Sequence, residues 1–268
     1  MALPEPSEAS TALVTGASSG IGAAIAESLA RRGHAVSLVA RREDRLTELA
    51  GELRDRHGVR AEVVACDVGD PGQRDRLAAR IDELGLDVEV LVNNAGFGSV
   101  GDFAGAERER QIEMVRVNCE AVVDLTARYL PGMVERGRGA VINVASMAAF
   151  QPLPKSATYA ASKAFVLSHS EALHQELRGT GVTVTAICPG PVDTEFDQAA
   201  DITRARTSTP SFVWMPADDV AEEAVKAAEA GKRAIVPGRL NFAGSLLGRH
   251  APHMVSLPLT RRLWGRVE

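Results

Sequence analysis

The chain alternates short, nearly continuous apolar runs with longer stretches in which apolar positions recur every three or four residues. Runs at 11–15, 35–40, 60–66, 88–92, 139–145, 182–188 and 233–236 are rich in Val, Ile, Leu and Ala, the pattern of strands covered on both faces. Between them, 20–32, 43–57, 71–85, 107–133, 157–178 and 217–230 carry helical spacing. Parallel neighbours need a crossover, and here every crossover reads as a helix, so the pattern predicts an α/β chain on a parallel sheet of about seven strands. Right-handed crossovers place helices on both faces, and ligands then bind beyond the carboxyl ends of the strands where strand order reverses. No internal repeat, low-complexity tract or Pro/Ser-rich linker divides the chain. One doubly wound domain is expected over 11–237, with 1–10 as an N-terminal extension and 238–268 as a C-terminal one.

The first apolar run, Thr11 to Thr15, leads into Gly16-Ala-Ser-Ser-Gly20-Ile-Gly22 and then a helical pattern. Such a turn lets backbone approach a pyrophosphate without Cβ interference and aims a helix N-terminus at negative charge. The Gly-x3-Gly-x-Gly spacing differs from the commoner dinucleotide fingerprint, and a turn without any ligand stays open as the minor reading of the glycines taken alone. With no Gly-Lys-Ser/Thr at its end, the loop is not built for a triphosphate and Mg²⁺. After the second run stand Ala40, Arg41 and Arg42. A site for NAD would offer a carboxylate here to the ribose hydroxyls; alanine removes the repulsion toward a 2′-phosphate, and arginine can pair with it, which favours NADP(H), while an arginine doublet taken in isolation reads equally well as solvating the start of a helix.

Further along, Tyr159-Ala-Ala-Ser-Lys163 sets a phenol and an ammonium four residues apart, on one face of a helix. A fixed positive charge favours phenolate over phenol and makes tyrosine a usable proton donor. Tyr and Lys at this spacing also arise by chance on solvated helices, so the neighbouring motifs decide the reading.

In chain order, Thr15-Gly16-x3-Gly20-Ile21-Gly22, Asp67-Val68, Asn93-Asn94-Ala95-Gly96, Ser146 with Tyr159-x3-Lys163, and Pro189-Gly190-Pro191-Val192-x-Thr194 resemble the short-chain dehydrogenase/reductase family, of the typical and not the extended kind, over about residues 10–237. The resemblance implies a Rossmann fold and hydride transfer. It puts Gly16, Ser18, Ser19, Gly20, Ile21 and Gly22 on the pyrophosphate, Arg41 and Arg42 on the adenosine phosphate, and Asp67 and Val68 on the adenine. Asn94, Ala95 and Gly96 line the adenosine side and stabilise the sheet. Pro189, Gly190, Val192 and Thr194 orient the nicotinamide carboxamide. Tyr159 becomes the acid/base and Lys163 the ribose ligand that also tunes it. Ser146 is a second donor to the substrate oxygen, and Asn118 holds a water leading from Lys163 to solvent. A lone helical Asn is otherwise a packing or kink residue. Relatives form homodimers or homotetramers through the helices that carry Asn118 and Tyr159.

Composition narrows the alternatives. The 268 residues are 45% hydrophobic and 24% charged with a formal charge of −5, enough for one well-filled core. An acidic chain with 4% aromatics gives no support to nucleic-acid binding. No run approaches a membrane span, Met1 to Ser10 lacks the features of a signal peptide, and a cytoplasmic location is expected. Cys66, Cys119 and Cys188 read as buried reduced thiols. His250 and His253 are too few ligands for a metal, and none is expected. Tyr129 sits at helical spacing among Leu125, Leu130 and Met133 as a packed aromatic, and Asp218 and Asp219 favour a helix N-terminus. Residues 231–268 hold seven Lys/Arg against Glu268, a local +6 that leaves −11 on residues 1–230. Such a tail suits a substrate-side lid or an oligomer contact ahead of contact with an anionic membrane surface.

The chain therefore reads as an NADP(H)-dependent oxidoreductase acting on a ketone, aldehyde or secondary alcohol. Phe196, Phe212, Val213, Trp214 and Met215 suggest an apolar substrate, with ordinary core residues as the other reading. A cofactor-sensing protein without turnover is the alternative class, and an epimerase or dehydratase on bound NAD a third.

Overall fold

The computed structural model describes residues 3–195, 213–250 and 257–258, with side chains omitted for 247–250. Seven strands, β1 (Ser10–Thr15), β2 (Val36–Ala40), β3 (Ala61–Ala65), β4 (Asp87–Asn93), β5 (Gly139–Val144), β6 (Val182–Ile187) and β7 (Ala234–Ile235), form one sheet in the order β3-β2-β1-β4-β5-β6-β7. Every pairing is parallel. The crossovers run through α1 (Gly20–Ala30), α2 (Glu43–His57), α3 (Pro71–Glu83), α4 (Arg108–Val115), α5 (Ala121–Glu135), α6 (Ala157–Glu176) and α7 (Ala217–Glu229), and α8 (Arg239–His250) follows β7.

Strand order reverses between β1 and β4, which opens a crevice at their carboxyl ends. The two-residue side-chain period is visible in the core. Ala12 and Val14 pack into one apolar cluster with α1, α2 and α7, while Leu13 between them joins the cluster on the other face with α3 and α5. A buried strand cannot alternate in polarity when both faces are covered, hence the continuous apolar runs.

Local chemistry sets the helix ends. Asp70 accepts from Gln73 N at 3.1 Å ahead of Pro71, capping α3. Glu43 and Asp44 open α2, Arg54, Arg56 and His57 close it, and Gly58 follows at φ 65°, where only glycine escapes strain. Asp218 and Asp219 occupy the first turn of α7. On the outer face Arg32 joins α1 to α7 through Glu222 (2.9 Å) and Glu229 (2.6 Å).

One expectation needs correction. The helix read over 107–133 is two helices joined by a π turn at Arg116–Glu120, because Asn118 is drawn inward by partners from another segment. The C-terminal extension contains α8, a short helix interrupted by Gly244 that ends ahead of Pro252. Tyr129 packs against the α3/α5 cluster, and burial pushes its hydroxyl up to about 12. Cys66 and Cys188 are buried thiols as read, whereas Cys119 is half-buried. No described helix is long and apolar enough to cross a membrane.

A buried polar ladder ties the sheet centre to its helices. Asn93 Nδ2 donates to Asn143 Oδ1 (2.9 Å) and Thr126 Oγ1 (3.1 Å), and Asn143 Nδ2 donates to Ser170 Oγ (2.9 Å). Buried amides are costly once a partner is lost. Asn143→Ala is expected to lower unfolding free energy by about 2–3 kcal/mol in urea titration; a change under about 0.5 kcal/mol would show that the ladder carries no stability.

Candidate active site

The crevice at the β1/β4 switch point is a cleft of about 690 Å³. One end is built by the turn between β1 and α1. Gly16 and Gly20 have φ of 66° and 57°, conformations that glycine adopts without steric cost. A Cβ on Gly22 would come within 2.4 Å of both Asn94 Nδ2 and Gly16 O. Asn94 is the brace of this turn, with Nδ2 donating to Thr15 O at 2.9 Å and Gly16 O at 3.3 Å. Thr15 Oγ1 donates to Val92 O and accepts from Asn94 N and Ala95 N, all near 3.0 Å. The segment from Asn94 to Ala95 thus acts first on the shape of the glycine turn. Ser19 stands at the N-cap of α1 without bonding the helix through its side chain, and the free N–H groups of the first turn form a site for an anion.

Beyond the glycine turn, Arg41 and Arg42 follow β2. Arg41 is 69% exposed, 4.0 Å from Asp67 and 3.8 Å from Glu113. Arg42 turns back, its Nη2 donating to Ser18 Oγ (3.0 Å) and Ser19 Oγ (2.9 Å) and its Nη1 to Glu195 (2.8 Å). Asp67 and Val68 line the same end, where Asp67 Oδ1 also accepts from Gly69 N at 2.9 Å.

At the centre, β5 delivers Ser146 and α6 delivers Tyr159 and Lys163. Ser146 caps the short turn Met147–Phe150 by accepting from Ala148 N at 3.1 Å, which leaves its own hydrogen to donate. Lys163 is buried and donates from Nζ to Val144 O at 2.8 Å. Its amine lies 5.9 Å from the centre of the Tyr159 ring. Asn118 is also buried. Its Nδ2 donates to Phe97 O and Ser162 Oγ, both at 3.0 Å, while Oδ1 accepts from Phe97 N at 3.2 Å. The π turn supplies the extra residue that swings this side chain toward α6. A Cβ on Gly96 would lie 3.0 Å from Asn118 Oδ1 and 3.3 Å from Lys163 Nζ, so the glycine lets the two converge.

The far end is closed by Met147, Phe150, Leu153 and Trp214, with Val192, Pro191 and Ser245 beside them. Pro189, Gly190 and Thr194 line the wall between, and Thr194 touches the Cβ direction of Gly20 at 3.0 Å. Val192 pairs with Met215 in an isolated bridge.

The cleft thus collects predicted residues from seven separate segments, while Gly22 and Asn118 are not among the residues that line it. Phe196, Phe212, His253 and Arg261 to Trp264 lie outside the described residues. Sequence reading missed Asn241, which fills the space a Gly190 side chain would need and donates to Val213 O at 3.4 Å. It also missed Ser162, which orients Asn118, and Glu195. A polar residue inside an unrecognised helix, or one beyond the end of a motif, carries no spacing signal.

Known proteins share this arrangement. The family model described as short chain dehydrogenase matches residues 10–205. The very-long-chain 3-oxoacyl-CoA reductase of Anas platyrhynchos is 36% identical over 211 residues, 75% of this chain; the match spans 63% of that relative's length, less than two thirds. A putative ketoacyl reductase of Streptomyces coelicolor is 35% identical over 255 residues, covering 89% of this chain and 97% of its own. A short-chain dehydrogenase from Sphingobium yanoikuyae, solved in complex with NADPH, superposes with a TM-score of 0.79 at 33% identity, covering 94% of this chain and 93% of its own. Since strand order, motif order and likeness agree across most of its length, the chain belongs to the short-chain dehydrogenase family.

Proposed function

We propose that the chain is an NADP(H)-dependent oxidoreductase that moves hydride between nicotinamide and an apolar ketone, aldehyde or secondary alcohol, with Tyr159 as acid in reduction and, as phenolate, base in oxidation. The observation that carries this reading is the burial of the Lys163 amine below the Tyr159 ring. Desolvation pulls that amine from its ordinary 10.5 down to about 8, so holding it charged at pH 7 costs roughly 3 kcal/mol. A purely structural position would be filled at less cost by an apolar side chain. The charge is retained where it can act on a phenol.

The donor set suits the cofactor. The uncapped turn of α1 fits a pyrophosphate, Arg41 fits a 2′-phosphate, and Ala40 puts no carboxylate in its way. Bound NADP(H) supplies the hydride. Ser146 donates to the carbonyl oxygen and stabilises its developing negative charge. Tyr159 delivers its proton to the same oxygen, and the ammonium of Lys163 offsets the charge left on the phenolate. Asn118 keeps the turn at Phe97 and the Ser162 hydroxyl in place, and so shapes the floor on which Lys163 rests. Met147, Phe150, Leu153 and Trp214 exclude water and favour an apolar substrate. A cofactor sensor has no use for Ser146, Tyr159 and Lys163 in one cleft, which favours the enzyme.

Three measurements test this reading. Tyr159→Phe keeps the ring and removes the proton; NADPH affinity, followed by cofactor fluorescence, should stay within about threefold while turnover on a panel of apolar ketones falls at least about 100-fold. Retained turnover would exclude the phenol as donor. Arg41→Asp should weaken NADPH by about 30-fold or more and NADH by less than about threefold; equal losses would reject the phosphate assignment. Lys163→Met should abolish turnover yet raise Tm at pH 7 by about 3–6 °C, since a net 1–2 kcal/mol remains after Val144 O loses its donor. The sign follows from the depressed value: the burial penalty is complete below about pH 8 and is relieved as pH rises toward 10.5. The stability gap between variant and wild type should therefore narrow over that window, and a variant less stable at pH 7 would overturn the penalty.

A further inference from the structure

Glu195 follows Thr194 in the segment after β6 and reaches across the adenosine end of the cleft. Its Oε2 accepts from Arg42 Nη1 at 2.8 Å and its Oε1 from Arg45 Nη1 at 2.5 Å. Both arginines belong to the start of α2, so one carboxylate joins two elements from opposite sides of the sheet's switch point. All three nitrogens of Arg42 are engaged: Nη1 by Glu195, Nη2 by the Ser18 and Ser19 hydroxyls, and Nε by Ser18 Oγ at 3.3 Å. Arg41, by contrast, meets carboxylates only at the long limit of an ion pair, 3.8–4.0 Å. Arg42 and Glu195 both line the cleft.

Resting on the NADP(H) reading above, we propose that Glu195 is an internal surrogate for the 2′-phosphate: it holds Arg42 and Arg45 when that phosphate is absent and competes with it when it arrives. The competition follows from donor counting. Arg42 can pair with a phosphate only by releasing the serines or Glu195. Of these partners only Glu195 carries charge, so it alone both occupies the guanidinium and repels the incoming dianion. A ribose hydroxyl makes no such demand. Glu195 thus acts selectively against the phosphorylated dinucleotide, and sets how tightly it is held and how fast it leaves.

The test compares wild type with Glu195→Gln, which keeps the shape and removes the charge. Binding of adenosine 2′,5′-bisphosphate and of AMP is measured by calorimetry, and NADPH and NADH dissociation by stopped flow. The variant should bind the bisphosphate and NADPH about fivefold more tightly, with slower NADPH release and with AMP and NADH within about twofold, and the gain should shrink at high salt. Glu195→Ala serves as a second variant and should shift in the same direction. Unchanged bisphosphate affinity, weaker binding, or a parallel change for AMP and NADH would overturn the proposal and make Glu195 a brace. Wild-type protein that binds neither NADPH nor the bisphosphate would defeat the cofactor reading itself, and this inference with it.

Discussion

The molecule is organised around an amine that water cannot reach. Lys163 Nζ rests on Val144 O at 2.8 Å, and everything near it is arranged so that a charge can exist there. The end of β5 offers its carbonyl, Gly96 gives up a side chain, and the helix carrying Asn118 widens by a π turn. Of these adjustments the π turn departs from the local helical preference, and such turns gather at functional sites. The position of Tyr159 one turn earlier on the same helix then follows from helical geometry alone.

The adenosine end solves a different problem, that of several like charges near a mobile ligand. Arg41, Arg42 and Arg45 cluster at the start of α2, and between them Glu195, Asp67 and Glu113 moderate their repulsion. The Glu195 carboxyl is held down to about 2, first by its hydrogen bond from Arg42 and then by that from Arg45. These groups are exposed, so solvent screens them and they contribute selectivity more than stability. The glycine turn beside them is braced separately, with Asn94 Nδ2 donating to the carbonyls of Thr15 and Gly16.

Most of the architecture was legible because parallel strands covered on both faces cannot hide their composition. The apolar runs locate β1 to β6 to within a residue or two, and the glycine turn, Ala40-Arg41 and Tyr159-x3-Lys163, each ambiguous alone, gain meaning from standing together in chain order. Less legible were features whose cause lies elsewhere in the chain. Residues 107–133 have unbroken helical periodicity, yet the helix yields at Asn118 to partners on Phe97 and Ser162. The helix at Arg239–His250 is short and glycine-interrupted, and its Asn241 finds meaning only against Gly190.

Fold class, the order of strands and helices along the chain and the shared helix face of Tyr159 and Lys163 follow from local pattern, since periodicity and residue type act within a few residues of chain. Which groups actually meet was settled by packing: the approach of Asn118 to Lys163 past Gly96, the brace of Asn94 beneath the glycine turn, and the span of Glu195 to Arg42 across 153 positions. Those contacts depend on the angle and separation of whole elements, which arise from burying two faces of one sheet at once and leave no trace in the spacing of any single segment.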